Sequence, residues 1–153
     1  MRAPVAANVR LHGMRLALLR LWEDDDGMLQ LQLSAESGQR ALSQDLYAYP
    51  EELREFGTKL EAFPSSVKDS VVFEYGTSDP KVYCWVRLRA YVYDGAGHSA
   101  LEVMAQNNLE PPVQASALFS VKLEAATLNK LGQELVAWSR LKEGDFEFEA
   151  REA

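Results

Sequence analysis

Six side chains able to grip a partner alternate along one short segment of the chain. In Val82-Tyr83-Cys84-Trp85-Val86-Arg87-Leu88-Arg89-Ala90-Tyr91-Val92-Tyr93, the residues Tyr83, Trp85, Arg87, Arg89, Tyr91 and Tyr93 take every second position. Large aromatics and arginine are the types enriched at binding hot spots, because rings bring apolar area and the guanidinium brings a fork of donors. The same residues also have a purely architectural reading, a half-covered sheet face with Arg–Tyr stacking and a cross-strand pair between Arg89 and Glu102. A second candidate is His98 with Asp94, where a carboxylate could orient an imidazole base. The chain has only two histidines, His12 and His98, and no nucleophile is placed beside His98 by the sequence, so a turn histidine is the simpler reading. A third is the run Glu23-Asp24-Asp25-Asp26, which could hold a cation or a basic protein. It lacks the alternating ligands and closing glutamate of a calcium loop, and a solvated turn is its usual meaning. Paired cysteines, a His-x-x-x-His spacing and a glycine-rich phosphate loop are all missing from the sequence. No catalytic residue, cofactor site or metal site is therefore expected, and the chain reads as a non-enzyme.

The elements that must position these groups follow from hydrophobic period. On the face opposite the aromatics and arginines lie Val82, Cys84, Val86, Leu88, Ala90 and Val92, a period of two that specifies a strand. Asp94-Gly95-Ala96-Gly97 supplies a turn, and Ser99 to Asn107 returns with Leu101, Val103 and Ala105 on one face. If Tyr93 faces His98, then Ala90 faces Leu101, Leu88 faces Val103, Val86 faces Ala105 and Arg89 faces Glu102. A slip of one residue would set apolar against polar throughout, so this register is the one the pattern selects.

Upstream, Met14 to Trp22 and Met28 to Ala35 form a hairpin around the acidic turn, and Arg40 to Ala48 follows as a third strand. Pro50 opens a helix, with Glu51 and Glu52 in its first turn and a stripe of Leu53, Phe56, Leu60 and Phe63. Ser70 to Tyr75 is a short strand before the central hairpin. Ala115 to Leu123 is another after it, and a second helix over Ala125 to Arg140 carries Leu128, Leu131, Leu135, Trp138 and Leu141. The segment 143–153 is acidic and alternates over Asp145 to Glu149. It reads as a short edge strand or, slightly preferred, as a frayed tail. Residues 1 to about 12 read as a loose N-terminal arm. The order is then βββαββββα, an α+β fold of about seven mainly antiparallel strands. Two helices cannot cover both faces of such a sheet, so a strongly curved, barrel-like sheet is expected.

Composition bounds the function. The chain has 153 residues, 47% of them hydrophobic and 25% charged, enough for one domain with a real core. No apolar run approaches the roughly 18 residues of a membrane span, and Met1 to Ala7 lacks a signal-peptide core. The lone Cys84 excludes an internal disulfide and is expected as a buried thiol on the inner face of its strand, which together favour the cytoplasm. A net charge of −7 disfavours nucleic acid and anionic lipid as partners.

The succession of three strands, the helix start Pro50-Glu51-Glu52-Leu53-Arg54-Glu55-Phe56, the hairpin Tyr91-Val92-Tyr93-Asp94-Gly95-Ala96-Gly97-His98, the strand Phe119-Ser120-Val121 and the helix Leu128 to Leu141 forms one pattern. It resembles a family of small bacterial proteins, most of them uncharacterised, that includes the immunity proteins encoded beside the wall-associated contact-dependent toxin. The resemblance spans roughly residues 14 to 141 and is most specific at Asp94-Gly95-x-Gly97-His98. It implies an antidote that binds and blocks a cognate toxin domain. Such toxins are often basic nucleases, which an acidic antidote would complement. The contact residues are then expected among Tyr83, Trp85, Arg87, Arg89 and Tyr91 and in the acidic run Glu23, Asp24, Asp25 and Asp26. If the aromatic–arginine face makes the contact, the partner need not be basic. The alternative is a small-ligand or carbohydrate-binding domain that uses the aromatic face or the mouth of a curled sheet. An exposed strand face could also make a homodimer.

Overall fold

The structure, a computed structural model, describes residues 13–153. The arm expected over residues 1–12 lies outside the described residues. The chain runs β1 (Gly13–Glu23), β2 (Leu29–Ser37), β3 (Arg40–Ala48), α1 (Pro50–Glu61), β4 (Ser70–Gly76), β5 (Trp85–Val92), β6 (Ser99–Gln106), β7 (Ser116–Lys122), α2 (Ala125–Ser139) and β8 (Phe146–Arg151). Among the described residues it is an α+β fold in which every strand pairing is antiparallel.

The strands do not form one curved sheet of seven. They form two sheets of four, ordered β3-β2-β1-β8 and β4-β5-β6-β7. Two things account for the difference. First, the segment expected to fray is a strand: Phe146 and Phe148 point into the core, Glu147 and Glu149 point out, and β8 pairs along β1 from Gly13↔Arg151 to Leu18↔Phe146. Arg15 binds Glu147 across this pairing at 2.5 Å. Second, α1 carries the chain away from β3, so that β4 pairs with β5 and starts a new sheet.

The chain is thereby a βββαβ unit followed by a second βββαβ unit, and each gives its last strand to the other's sheet. The correspondence holds at the level of register. Leu16↔Ala35, Leu18↔Leu33 and Arg20↔Leu31 in the first sheet repeat as Val86↔Ala105, Leu88↔Val103 and Ala90↔Leu101 in the second, each seventy residues on. The β1–β2 and β5–β6 turns repeat in the same way. Asp24 Oδ1 accepts the N–H groups of Asp26 and Met28, and Asp94 Oδ1 accepts those of Ala96 and His98. Gly27 at φ +93° and Gly97 at φ +89° close these turns in the left-handed region, where a side chain would be strained.

The helices repeat too. Leu53, Phe56, Gly57 and Leu60 of α1 are buried, as are Leu128, Leu131, Gly132 and Leu135 of α2, and the helices pack on each other. At the crossing each glycine meets the other's backbone, so a Cβ on Gly132 would lie 2.4 Å from the Gly57 carbonyl oxygen. Phe56 packs on Phe73 of β4, and Trp138 packs edge-on to Phe146 of β8. Leu31, Leu33 and Leu46 from the first sheet join Val86, Leu101 and Val121 from the second in one continuous core. Among the described residues, no helix is long and apolar enough to cross a membrane.

Candidate functional site

The central hairpin adopts the register expected from its pattern: Val86↔Ala105, Leu88↔Val103, Arg89↔Glu102 and Ala90↔Leu101, with Tyr93 N–H donating to the His98 carbonyl at 2.8 Å. Strand alternation therefore puts Trp85, Arg87, Arg89 and Tyr91 on the outer face of the second sheet. There they form a connected array. Glu102, on the neighbouring β6, lies between the two arginines. Arg87 approaches its Oε1 through Nε at 3.1 Å and Nη2 at 2.9 Å, and Arg89 reaches Oε2 through Nη2 at 3.2 Å. Arg89 lies 4.0 Å over the Tyr91 ring, and Arg87 lies 5.7 Å from the Trp85 ring centroid. The Tyr91 hydroxyl crosses β6 to Ser120 of β7 at 2.9 Å, and Trp85 Nε1 donates to Glu74 of β4 at 2.6 Å. Both planar guanidinium groups are thus fixed from below and from the side. Their side chains keep 29% and 31% exposure while Glu102 keeps 11%. Burial works against the charge on Glu102, but the hydrogen bonds and charges of Arg89 and Arg87 outweigh it and hold the carboxyl below its ordinary range.

Tyr83 does not belong to this face. The strand begins at Trp85, and Tyr83, in the segment before it, packs edge-on against Tyr47 of β3 at 5.4 Å between centroids. Cys84 likewise precedes the strand. It is fully buried with its thiol 3.3 Å from the Asp45 carbonyl oxygen, and burial pushes its pKa up to about 11. A thiol so disposed stays protonated at neutral pH and is a poor nucleophile. Tyr93 also falls outside the strand and stacks on His98.

The acidic run serves its turn. Asp24 and Asp26 spend their oxygens on the backbone N–H groups of the turn, and Asp26 Oδ2 also accepts the Tyr49 hydroxyl at 2.6 Å. The two carboxyls share hydrogen-bonding space. Each perturbs the other most, so the Asp24 pKa is raised and the Asp26 pKa is lowered, with Tyr49 adding to the second effect. Glu23 ends β1, and Asp25 sits exposed at the tip of the turn. Among the described residues, no three His, Cys, Asp or Glu side chains come together in a way that could hold a metal ion.

His98 does meet Asp94, with Nδ1 2.6 Å from Oδ2, and the contact lowers the Asp94 pKa. The neighbouring hydroxyl, Ser99 Oγ, is buried and donates to the Leu123 carbonyl at 2.6 Å, so it is not aimed at the imidazole. A cavity of about 160 Å³ beside His98 is lined by Tyr93, Gly97, Leu123 and Glu124. A larger one of about 450 Å³ lies at the corresponding place in the first unit, between the Asp24 turn and the start of α1, where Arg20, Tyr49, Glu51 and Lys142 line it. Both are open to solvent and bounded by turns and helix starts, whereas the space between the sheets is filled by core side chains.

The repeated unit was not drawn from the sequence, although two signals carry it: Asp-x-x-Gly at 24–27 and 94–97, and Leu-x-x-Phe-Gly-x-x-Leu at 53–60 beside Leu-x-x-Leu-Gly-x-x-Leu at 128–135. The repeat is informative about the site because it compares the chain with itself. By register, Arg87, Arg89 and Glu102 of the second sheet correspond to Ala17, Leu19 and Gln32 of the first. Trp85 corresponds to Arg15. The inner faces stay leucine- and valine-rich while the outer faces diverge.

No family model and no curated protein matches the chain.

Proposed function

We propose that the chain is a non-enzymatic binding protein of the immunity-inhibitor type, and that it holds a cognate toxin domain against the outer face of β4-β5-β6-β7. One observation carries this reading. The same fold in the same register is built in the first sheet with Ala17, Leu19 and Gln32, so the architecture does not require two arginines and a glutamate there. Drawing charges partly out of water is costly, and an apolar or neutral set commonly holds a structure as well. A charged set placed there despite that cost, flanked by an indole and a phenol, fits a contact surface. The resemblance over residues 14 to 141 supports a toxin as the partner.

The test is copurification with the product of a neighbouring toxin gene, followed by cross-linking and peptide mapping. Cross-links at Trp85, Arg87 and Tyr91, together with loss of capture in Trp85→Ala, are the expected result. Cross-links confined to the Asp24 turn or to the first sheet would move the interface elsewhere. Absence of binding to any neighbouring toxin would remove the inhibitor reading.

A further inference from the structure

The geometry points to the chemistry of the contacting segment: we propose that the outer face of the second sheet receives an acidic, extended stretch of a protein partner, with two carboxylates two residues apart, one on each guanidinium of Arg87 and Arg89. This rests on the reading of that face as the binding surface, and it departs from the basic toxin that the resemblance implies.

Three features carry it. The first is unused donor capacity. Glu102 engages each arginine through Nε and Nη2, which leaves both Nη1 groups without a partner among the described residues. An arginine fork fixed on one edge presents its other donors in a set plane, the arrangement that favours planar, charge-assisted recognition of a carboxylate. The second is spacing. Arg87 and Arg89 stand two residues apart on one strand, about 6.6 Å by strand rise. That matches the side-chain repeat on one face of another extended chain, so acids at alternate positions can meet both arginines without bending either backbone. The third is local charge. The chain as a whole carries 16 Lys and Arg against 23 Asp and Glu. On this face Arg87, Arg89 and Lys122 outnumber Glu74 and Glu102, so its local balance is positive on an acidic molecule and complements an acidic segment. Exposed Val72 and Leu118 flank the arginines across the sheet, at 41% and 61% exposure, and would cover the apolar residues between the acids. Nucleic acid offers the right charge too, but the rest of the molecule would repel a long polyanion.

The probes are an acetylated, amidated peptide Gly-Leu-Asp-Leu-Asp-Leu-Gly, its counterpart with Asn for both Asp, and a short single-stranded DNA, each titrated into the full ¹⁵N-labelled protein. The readout is the arginine Nε–H signals and the affinity. The Asp peptide is expected to shift the Arg87 and Arg89 signals, to bind roughly tenfold or more tightly than the Asn peptide, and to weaken with added salt. Binding is expected to vanish in Arg87→Gln/Arg89→Gln/Glu102→Gln, which leaves no buried charge unpaired, and to be intermediate in Arg87→Lys/Arg89→Lys, which keeps the charge and loses the fork. Equal binding of the two peptides, or shifts elsewhere, overturns the proposal, and tighter binding of the DNA at the same signals overturns it in favour of a phosphate ligand. If Trp85→Ala abolishes toxin capture while the peptide and the triple variant have no effect, the face is the interface and only the acidic segment is wrong. If Trp85→Ala also has no effect, the reading of the face itself fails.

Discussion

Replacing Gly132 by alanine adds one methyl group where two helices touch backbone to backbone. The new Cβ would stand 2.4 Å from the Gly57 carbonyl oxygen, 2.7 Å from Leu60 Cβ and 2.9 Å from the Glu61 nitrogen. Ordinary contact needs about 3.5 Å, so the helices must part by about 1 Å. The blocking atoms are main chain or Cβ, and no rotamer change can move them aside. Overpacking of a well-filled core costs about 1–3 kcal/mol, and this contact belongs at the upper end. Alanine returns up to about 1 kcal/mol of helix propensity, which leaves a net loss of about 2 kcal/mol. For a domain of this size that lowers the melting temperature by about 4–8 °C in a circular dichroism melt. Gly57→Ala is expected to cost less, since its nearest backbone contact is 2.8 Å. The double variant is expected to cost less than the sum of the two, because one separation of the helices accommodates both methyls. Gly95→Ala, with nothing within 4 Å of the added atom, is the control. A Gly132→Ala protein as stable as the parent, or a strictly additive double variant, would refute the close-crossing argument.

Four further outcomes are expected. Glu102 has a folded pKa below its ordinary value of 4.5, so its contribution to stability is complete above that pH and is lost as pH falls through the folded value. Urea midpoints measured below about pH 4.5 should therefore fall less steeply in Glu102→Gln than in the parent. Gly27→Ala and Gly97→Ala each force alanine to positive φ in corresponding turns, and each should cost about 1 kcal/mol, additively, by urea titration. Phe148→Ala removes a fully enclosed ring that ties β8 to β1 and should cost about 3–5 kcal/mol, whereas a frayed tail would make the change neutral. Because Gly13 pairs with Arg151, a permuted full chain whose two ends are joined through a flexible linker and which opens between 77 and 83 should keep the circular dichroism spectrum and a single cooperative melt.

Most of the element boundaries were legible because each strand and helix presents a clean period, and the hairpin register followed from apolar matching alone. The helix start at Pro50 and the strand Arg40–Ala48 fall where the sequence puts them. What the sequence did not disclose is which strand meets which across the chain. Phe146-Glu147-Phe148-Glu149 has the alternation of a strand, but its partner β1 lies more than a hundred residues away, and only that partner turns an acidic tail into sheet. Without it the two sheets merge into one by default. Gly57 and Gly132 were hidden for a related reason, because a glycine within an apolar helical stripe looks like a gap until a second helix is laid across it.

The candidate site was half legible. Alternation placed Trp85, Arg87, Arg89 and Tyr91 together and Glu102 opposite Arg89, but it also placed Tyr83 with them, because strand period says nothing about where a strand starts. Nor could it weigh Glu102, which in the structure serves both arginines rather than one. The first sheet offers a comparison for that cluster. Where the registers match, the first sheet is built with Ala17, Leu19 and Gln32, so the arginine–glutamate set is the part of the second sheet to test for a role beyond folding. By this reasoning, exchanging the arginine–glutamate set for its counterparts, through Arg87→Ala, Arg89→Leu and Glu102→Gln together, should leave the melting temperature within a few degrees of the parent, since the buried pairing is removed as a whole and neutral replacements of this kind are often no less stable. Partner binding through this face should be lost in the same variant. A variant that unfolds would show the cluster to be architectural after all, and the asymmetry between the sheets would then need a cause within the fold.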